Sequence, residues 1–349
     1  MIKESASGSQ EVVQSFRKVL GLLGFRGDFE AGLGARFVAS TDNSIYEVLP
    51  RAIVYPRDAA DLNRIVRAAR RQSATQISLT ARGGNTGTNG QSLSSGVIVD
   101  FSRHMNKIIA LDVDALRVTV EPGVVLDQLN RELGRHGLFF PPIVSTASRA
   151  TIGGMVATDA SGKGSRKYGK TSDYIEALNV VLSDGSDFEV LPLPLAEAEE
   201  LASRTGMVGT IHREALRIVR EKADKIAAIF PDMNRGLTGY NLQKAFDATA
   251  DRLSLAHLLA GSEGTLAITK SITLRVMPKP RSKSLVVLRY DDFDSALRDI
   301  PIVGRSDPLA VEILDDKVLG GSNDRYPLGR YRGGPRDPGG APGQRTHIR

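Results

Sequence analysis

The residues Arg82-Gly83-Gly84-Asn85-Thr86-Gly87-Thr88-Asn89-Gly90 follow directly on the apolar run Ile77-Ser78-Leu79-Thr80. Four glycines and two threonines at a strand exit suit one kind of chemistry, the close approach of backbone to an anion. Glycine reaches positive φ without steric cost, and successive N–H groups in such a turn form a concave nest for phosphate oxygens. The hydroxyls of Thr86 and Thr88 and the amide of Asn85 add donors. Arg82 either supplies charge or anchors the loop. A wide turn has the same composition, so the run alone does not decide. Two familiar phosphate loops are excluded. No Gly-Lys-Ser/Thr ends the run, as a P-loop would require. The segment is followed by the short strand Val97-Ile98-Val99-Asp100 and not by a helix, which argues against a nicotinamide-binding fingerprint.

Two further clusters have the same character. Phe139-Phe140-Pro141-Pro142-Ile143-Val144-Ser145-Thr146 leads into Thr151-Ile152-Gly153-Gly154-Met155-Val156-Ala157-Thr158-Asp159-Ala160-Ser161-Gly162. Paired prolines stiffen the entry, and Gly153-Gly154 clears side chains from a surface, as a flat ring or a pyrophosphate lying on backbone would need. Gly164 to Asp173, with Tyr168 inside it, continues this stretch. The third cluster is Gly261-Ser262-Glu263-Gly264-Thr265-Leu266-Ala267-Ile268-Thr269. Each by itself also reads as a glycine-rich surface loop.

The elements that must position these loops follow from periodicity. Glu11 to Leu23 places Val12, Phe16, Val19, Leu20 and Leu23 on one side of a helix. Ala52–Tyr55 reads as a strand ended by Pro56. Asp58 caps a helix running to about Arg71, and the strand at Ile77–Thr80 then delivers the glycine loop. Strands are expected at Lys107–Leu111, Arg117–Glu121, Leu178–Leu182 and Asp187–Leu191, the last two joined by the hairpin signal Ser183-Asp184-Gly185-Ser186. Helices are expected at Leu126–His136 and, as one long element ended by Pro231, at Val208–Phe230. Mixed strands, helices and hairpins imply an α+β fold and not a doubly wound sheet.

Composition narrows the class. With 349 residues the chain has room for two or three domains. No apolar run approaches the ~20 residues of a membrane span, and the polar start lacks a secretory core, so a cytoplasmic, soluble protein is expected. The absence of cysteine removes thiolate catalysis, iron–sulphur clusters and cysteine-ligated zinc from this chain. The formal charge of +6 has a local source, because residues 320–349 hold six arginines against two aspartates. The tail is therefore read as a solvated end, and no nucleic-acid partner is expected; a basic nucleic-acid-binding protein is the weaker alternative.

Taken together, in order and spacing, the clusters resemble the FAD-binding domain of the vanillyl-alcohol oxidase and p-cresol methylhydroxylase (PCMH) type, from about Pro50 to Pro280. The resemblance implies a two-lobed α+β domain with FAD between the lobes. Residues 82–88 (Arg82, Gly83, Gly84, Asn85, Thr86, Gly87 and Thr88) would cradle the pyrophosphate. Pro142, Ser145, Thr146, Gly153 and Gly154 would line the flavin and ribityl region. Thr158, Asp159, Gly162 and Tyr168 would continue that wall, and Glu263, Gly264 and Ile268 would flank the adenosine side. Local wording (Thr41-Asp42-Asn43-Ser44-Ile45-Tyr46, LTGYNL at 237–242, VEILDDKVL at 311–319) is similar to the D-2-hydroxy-acid dehydrogenase branch. Within that branch it resembles the large bacterial D-2-hydroxyglutarate dehydrogenases, whose flavin half is joined to an iron–sulphur half. His104 and His136 lie outside the glycine loops, so the FAD is expected to be noncovalent.

The implied domain plan is an N-terminal helical segment (1–47), the FAD-binding domain (48–280), the start of an α+β substrate cap (281–319) and a tail (320–349). The cap is expected to open with a strand at Leu285–Leu288 and a helix at Phe293–Arg298. Twelve of the last thirty residues are Gly or Pro, a composition that does not fold, so a truncated or frame-shifted chain is expected. The resemblance implies that His and Glu residues of the later cap, often around a divalent metal, take the substrate proton. The five histidines here (104, 136, 212, 257 and 347) are scattered, so no catalytic residue and no metal ligand is assigned. The expected function is oxidation of a D-2-hydroxy acid by hydride transfer to FAD, with an iron–sulphur or quinone acceptor. A flavin-binding fragment without turnover is the alternative.

Overall fold

The computed structural model describes residues 6–71, 77–231, 239–315, 317 and 346–347. The chain divides into a unit spanning Met1–Lys279 and a second spanning Pro280–Arg349. The first unit has two lobes.

The first lobe is a mixed four-stranded sheet backed by helices. In chain order it contains α1 (Ala6–Leu22), β1 (Asp28–Glu30), α2 (Leu33–Val38), β2 (Ala52–Tyr55), α3 (Ala59–Arg71), β3 (Leu79–Arg82) and β4 (Val97–Asp100). Asp58 caps α3 as expected, its Oδ1 accepting from Asp61 N at 2.9 Å. Spatial order is β1-β2-β4-β3, so β4 inserts between the two strands joined by α3. β3 and β4 are parallel neighbours, Leu79 opposite Val97 and Arg82 opposite Asp100. Parallel neighbours need a crossover of about a dozen residues or more. Residues 83–96, which begin with the glycine run, are that crossover, and this is why the run lies at the strands' C-terminal edge. Phe16 and Leu20 of α1 and Leu62 and Ile65 of α3 pack on Ala52, Val54, Val97 and Val99 to form the core.

The second lobe begins with β5 (Ile108–Asp112), β6 (Arg117–Val120), α4 (Leu126–Gly134), β7 (Leu138–Phe139), α5 (Ile152–Ala157) and the four-residue α6 (Ser165–Tyr168). It continues with β8 (Ile175–Val181), β9 (Asp187–Val190), β10 (Pro192–Pro194), α7 (Leu195–Ser203), α8 (Met207–Glu221), α9 (Ala223–Ile229), β11 (Phe246–Asp247) and β12 (Arg252–Ser254). It closes with α10 (Ala256–Leu259), β13 (Ile268–Arg275) and β14 (Met277–Pro278). The antiparallel order β5-β6-β13-β8-β9 puts β13 at the centre, Ile272 facing both Val120 and Leu178 across the ladder. Leu126, Leu129 and Leu133 of α4 and Ile152 of α5 are fully buried against this sheet. The architecture is α+β, as expected.

The single long helix expected at Val208–Phe230 is two helices. Lys222 leaves helical geometry at φ −117° and ψ 10°, and α9 starts on its far side. The physical reason is burial: α8 buries His212, Ala215, Leu216 and Val219, whereas α9 buries nothing. No packed face carries the helical register past Glu221.

In the second unit β15 (Val286–Val287) pairs antiparallel with β16 (Thr346–His347), and α11 (Phe293–Gly304) is capped by Asp292 accepting from Ser295 N at 2.8 Å. α11 buries none of its residues. Apart from residues 346–347, the tail expected at 320–349 lies outside the described residues. No described helix is long and apolar enough to cross a membrane.

Candidate functional site

The cleft between the two lobes is built from three chain segments. The first lobe brings the end of β3 and the residue after β4, namely Ala81, Arg82, Gly83 and Phe101. The second lobe brings Pro122 after β6 and Thr151, Gly153, Gly154, Val156 and Ala157 around α5. The third segment, between α10 and β13, adds Leu259, Ser262, Gly264, Ala267 and Thr269. Each of the three sequence clusters thus contributes to one cavity, at the carboxyl ends of parallel strands where ligands of such sheets commonly bind.

Arg82 is an anchor. It is buried, and its guanidinium donates to Ala39 O at 2.6 Å and Thr41 O at 2.9 Å. Burial lowers its pKa, opposed by the charges of Asp100 and Asp42. Asp42 ties the same turn to the loop, accepting from Ser44 N at 2.8 Å and from Ser92 Oγ at 3.0 Å. Burial pushes the Asp42 carboxyl up, but these hydrogen bonds outweigh it and hold it below its ordinary value.

The glycines divide by what their missing side chains would meet. A Cβ on Gly83 would fall 2.1 Å from Thr151 Oγ1, and one on Gly84 would fall 2.0 Å from Arg149 O. These two let the crossover loop press on residues 149–151. Gly153 is likewise occupied by the chain, its Cβ position lying 2.5 Å from Pro122 Cβ. The expectation that the Gly153-Gly154 pair clears a ligand surface therefore rests on Gly154, where only Thr151 Oγ1 lies within 4 Å, at 3.2 Å. Gly264 is similarly open, at φ +78° with Ala81 Cβ at 3.8 Å. Thr151 caps α5, accepting from Gly154 N at 3.3 Å.

The loop residues Asn85, Thr86, Gly87 and Thr88 continue from Gly84. Asn85 holds a left-handed φ of 56°, and its Oδ1 is buried without a protein partner. Pro142, Ser145 and Thr146 run beside Gly162, whose Cβ position falls 2.0 Å from Ile143 O. Tyr168 stands edge-on to Phe139 with centroids 5.6 Å apart. Thr158 Oγ1 donates to Gly154 O at 3.0 Å at the end of α5. Glu263 is exposed at φ 52°, its N–H donating to Ala157 O at 2.8 Å. Gly261 N similarly donates to Val156 O at 3.0 Å, so the third cluster is laced onto α5. Ile268 is packed in the first-lobe core with Val181.

Asp159 faces a charged cluster that the sequence did not disclose. Its Oδ2 meets Lys170 Nζ at 2.5 Å and its Oδ1 accepts from Ser172 N at 2.9 Å. Asp173 accepts from Lys244 Nζ at 2.6 Å and from Lys170 N at 2.8 Å. Burial would raise the Asp173 carboxyl, yet Lys244 and the Lys170 amide bring it below its ordinary value. His257 of α10 lies among these charges with a buried, unpartnered Nδ1. Burial foremost, then Lys244, lowers its pKa. A folded-state pKa below that of the unfolded chain means the unfolded state takes the proton first. The titration of His257 therefore takes nothing from stability above about pH 6.5, and destabilises the fold as pH drops from there toward its folded value. His257→Gln should remove that part of the acid destabilisation, read as melting temperature against pH. Identical profiles for the two proteins would contradict it.

Two other histidines are engaged elsewhere: His104 Nε2 lies 2.7 Å from Asp28 Oδ2, and His212 Nδ1 lies 2.8 Å from Val208 O. Among the described residues no group of three or more His, Cys, Asp or Glu is placed to hold a metal ion. Sequence reasoning missed Phe101, Pro122, Thr151 and Ser262 in the lining. Thr151 had a signal, a threonine directly before an apolar helical run.

Comparison with known proteins agrees with this geometry. Residues 50–190 match a family described as an FAD binding domain. The D-2-hydroxyglutarate dehydrogenase of Pantoea ananatis is 45% identical over 314 residues, which cover 90% of this chain and 31% of that protein. The Escherichia coli D-2-hydroxyglutarate dehydrogenase is 44% identical with the same shares. The chain thus spans about a third of the length of these relatives. Among solved structures, an alkyldihydroxyacetonephosphate synthase superposes with a TM-score of 0.60 at 18% identity, covering 84% of this chain and 47% of that one. A carbohydrate oxidase from Microdochium nivale gives a TM-score of 0.54 at 18% identity, covering 83% and 50%. Residues 50–190 are thus similar to an FAD binding domain, and the chain is similar to about a third of the length of the bacterial D-2-hydroxyglutarate dehydrogenases.

Proposed function

We propose that the interlobe cleft holds FAD and that the protein serves the flavin-dependent oxidation of a D-2-hydroxy acid, of the D-2-hydroxyglutarate or D-lactate type. The observation that carries this reading is the convergence of Gly83, Gly154 and Gly264, from three distant segments, on one cavity. The residues present fit the cofactor. Gly154 and Gly264 leave backbone open to the cleft. Asn85 Oδ1, buried and lacking a protein donor, suits a ribityl or ribose hydroxyl.

In this reading the loop 82–88 surrounds the pyrophosphate with backbone N–H groups, Asn85, Thr86 and Thr88. Arg82 holds that loop in shape from behind, since its guanidinium is committed to Ala39 and Thr41. Pro142, Ser145, Thr146, Gly153, Gly154, Thr158, Gly162 and Tyr168 form the wall along the flavin, and Glu263, Gly264 and Ile268 the adenosine side. When bound, the isoalloxazine supplies a hydride acceptor. The substrate gives up its α-hydrogen as hydride and its hydroxyl proton to a base, leaving the 2-oxo acid. The acceptor of those electrons would be an iron–sulphur or quinone partner, and the place of action the cytoplasm.

Anaerobic mixing of FAD-loaded protein with D-2-hydroxyglutarate or D-lactate tests this. Loss of the oxidised-flavin absorption with a D-enantiomer, and not with its L-enantiomer, is the expected result. Bound flavin that stays oxidised would favour a flavin-binding module without turnover.

A further inference from the structure

We propose that Lys170 and Asp159 are positioning residues that clasp the cleft wall, acting on the cofactor only through α5. The proposal rests on the FAD reading above. The Lys170 and Asp159 side chains are 8% and 10% exposed, and they meet each other at 2.5 Å. Both carboxylate oxygens of Asp159 are already engaged, by Lys170 Nζ and by Ser172 N. The residue that sequence placed along the flavin therefore has its charge neutralised and its acceptors occupied within the protein.

What the pair fixes is the end of α5. Asp159 follows α5 directly after Thr158 and holds a left-handed φ of 47°. That conformation is unfavourable for a non-glycine residue unless its surroundings hold it. The surroundings are Lys170, Ser172 and Thr171, the last donating through both N and Oγ1 to Ala160 O at 3.0 and 2.7 Å. Asp173, accepting from Lys170 N and Lys244 Nζ, fixes this segment in turn. α5 presents Gly154, Val156 and Ala157 to the cleft, while Val156 and Ala157 receive Gly261 and Glu263 from the third cluster. One clasp thus sets the relation of two of the three cofactor segments.

Removing one member of a buried pair leaves an uncompensated charge, whereas removing both is often nearly neutral. The test is a cycle of Lys170→Met, Asp159→Asn and the double variant, read in two ways. Amide hydrogen exchange on the apoprotein should quicken at residues 152–160 in each single variant by at least about tenfold and return toward wild type in the double variant. FAD affinity should follow the same pattern, falling at least about tenfold in each single variant and recovering to within about threefold in the double. The absorption spectrum of whatever flavin binds should stay that of the wild type, since both side chains are committed to partners within the protein. Unchanged exchange at 152–160, a double variant no better than Asp159→Asn, or an altered flavin spectrum would overturn the clasp. A wild-type protein that binds no FAD would instead overturn the cofactor reading, and the exchange cycle would still decide the clasp.

Discussion

Gly84→Ala should cost the protein its cofactor while leaving most of its secondary structure in place. The added methyl would sit 2.0 Å from Arg149 O and 2.9 Å from Arg149 C. Those are backbone atoms just before the α5 cap, with no flexible side-chain end to swing aside. The crossover loop must therefore lift off residues 149–151. Overpacking of this kind costs about 1–3 kcal/mol, and a protein of this size loses roughly 2–4 °C of melting temperature per kcal/mol. A moderate drop in melting temperature should accompany a rise in the FAD dissociation constant of at least about a hundredfold, because about 2.8 kcal/mol of misplacement falls on the loop itself. Gly134→Ala is the control: nothing lies within 4 Å of its Cβ position, and it sits inside α4. It should leave FAD binding unchanged. Equal FAD affinity in wild type and Gly84→Ala would show that the loop's contact with residues 149–151 does not shape the site.

Arg82→Met is expected to have the second largest effect, and by another route. The substitution keeps the apolar stem but strips two hydrogen bonds from a charged donor, at Ala39 O and Thr41 O. Such bonds are worth about 1.5–3 kcal/mol each, and the carbonyls left behind have lost their partners. A total of about 3–6 kcal/mol corresponds to a fall of about 6–24 °C in melting temperature. Arg82→Lys should rescue little of this, because a single ammonium cannot reproduce the fork that reaches two carbonyls. The test separates two roles for the residue. An anchor loses stability in the apoprotein, whereas a pyrophosphate ligand would lose FAD affinity at unchanged apoprotein stability. The second outcome would contradict the geometry.

The segments that line the cavity were legible because their composition is local in sequence. Glycine runs after strands, Asp58 as a cap and the apolar stripes of α1, α3 and α4 all announce themselves within a few residues. What was illegible is non-local. Nothing near Leu79 or Val97 states that β4 inserts beside β3, nor that Ile272 lies between Val120 and Leu178. Lys170 reads in sequence as one of several basic residues beside Arg166 and Lys167, and only folding buries it against Asp159. Gly153 illustrates a subtler limit. Sequence identifies a glycine where bulk is forbidden, but whether a ligand or Pro122 forbids it is a fact of packing. The helix break at Lys222 belongs to the same class, because an apolar stripe shows where a helix can form and not where a neighbour stops supporting it.

The central claim is that Gly83, Gly154 and Gly264 enclose a site for one flavin nucleotide. Calorimetric titration of FAD into the apoprotein tests it most directly. The account predicts saturable binding at one FAD per chain, weakened at least about a hundredfold by Gly84→Ala and retained by Gly134→Ala. A cooperatively folded protein that takes up no FAD at saturating concentration would contradict it.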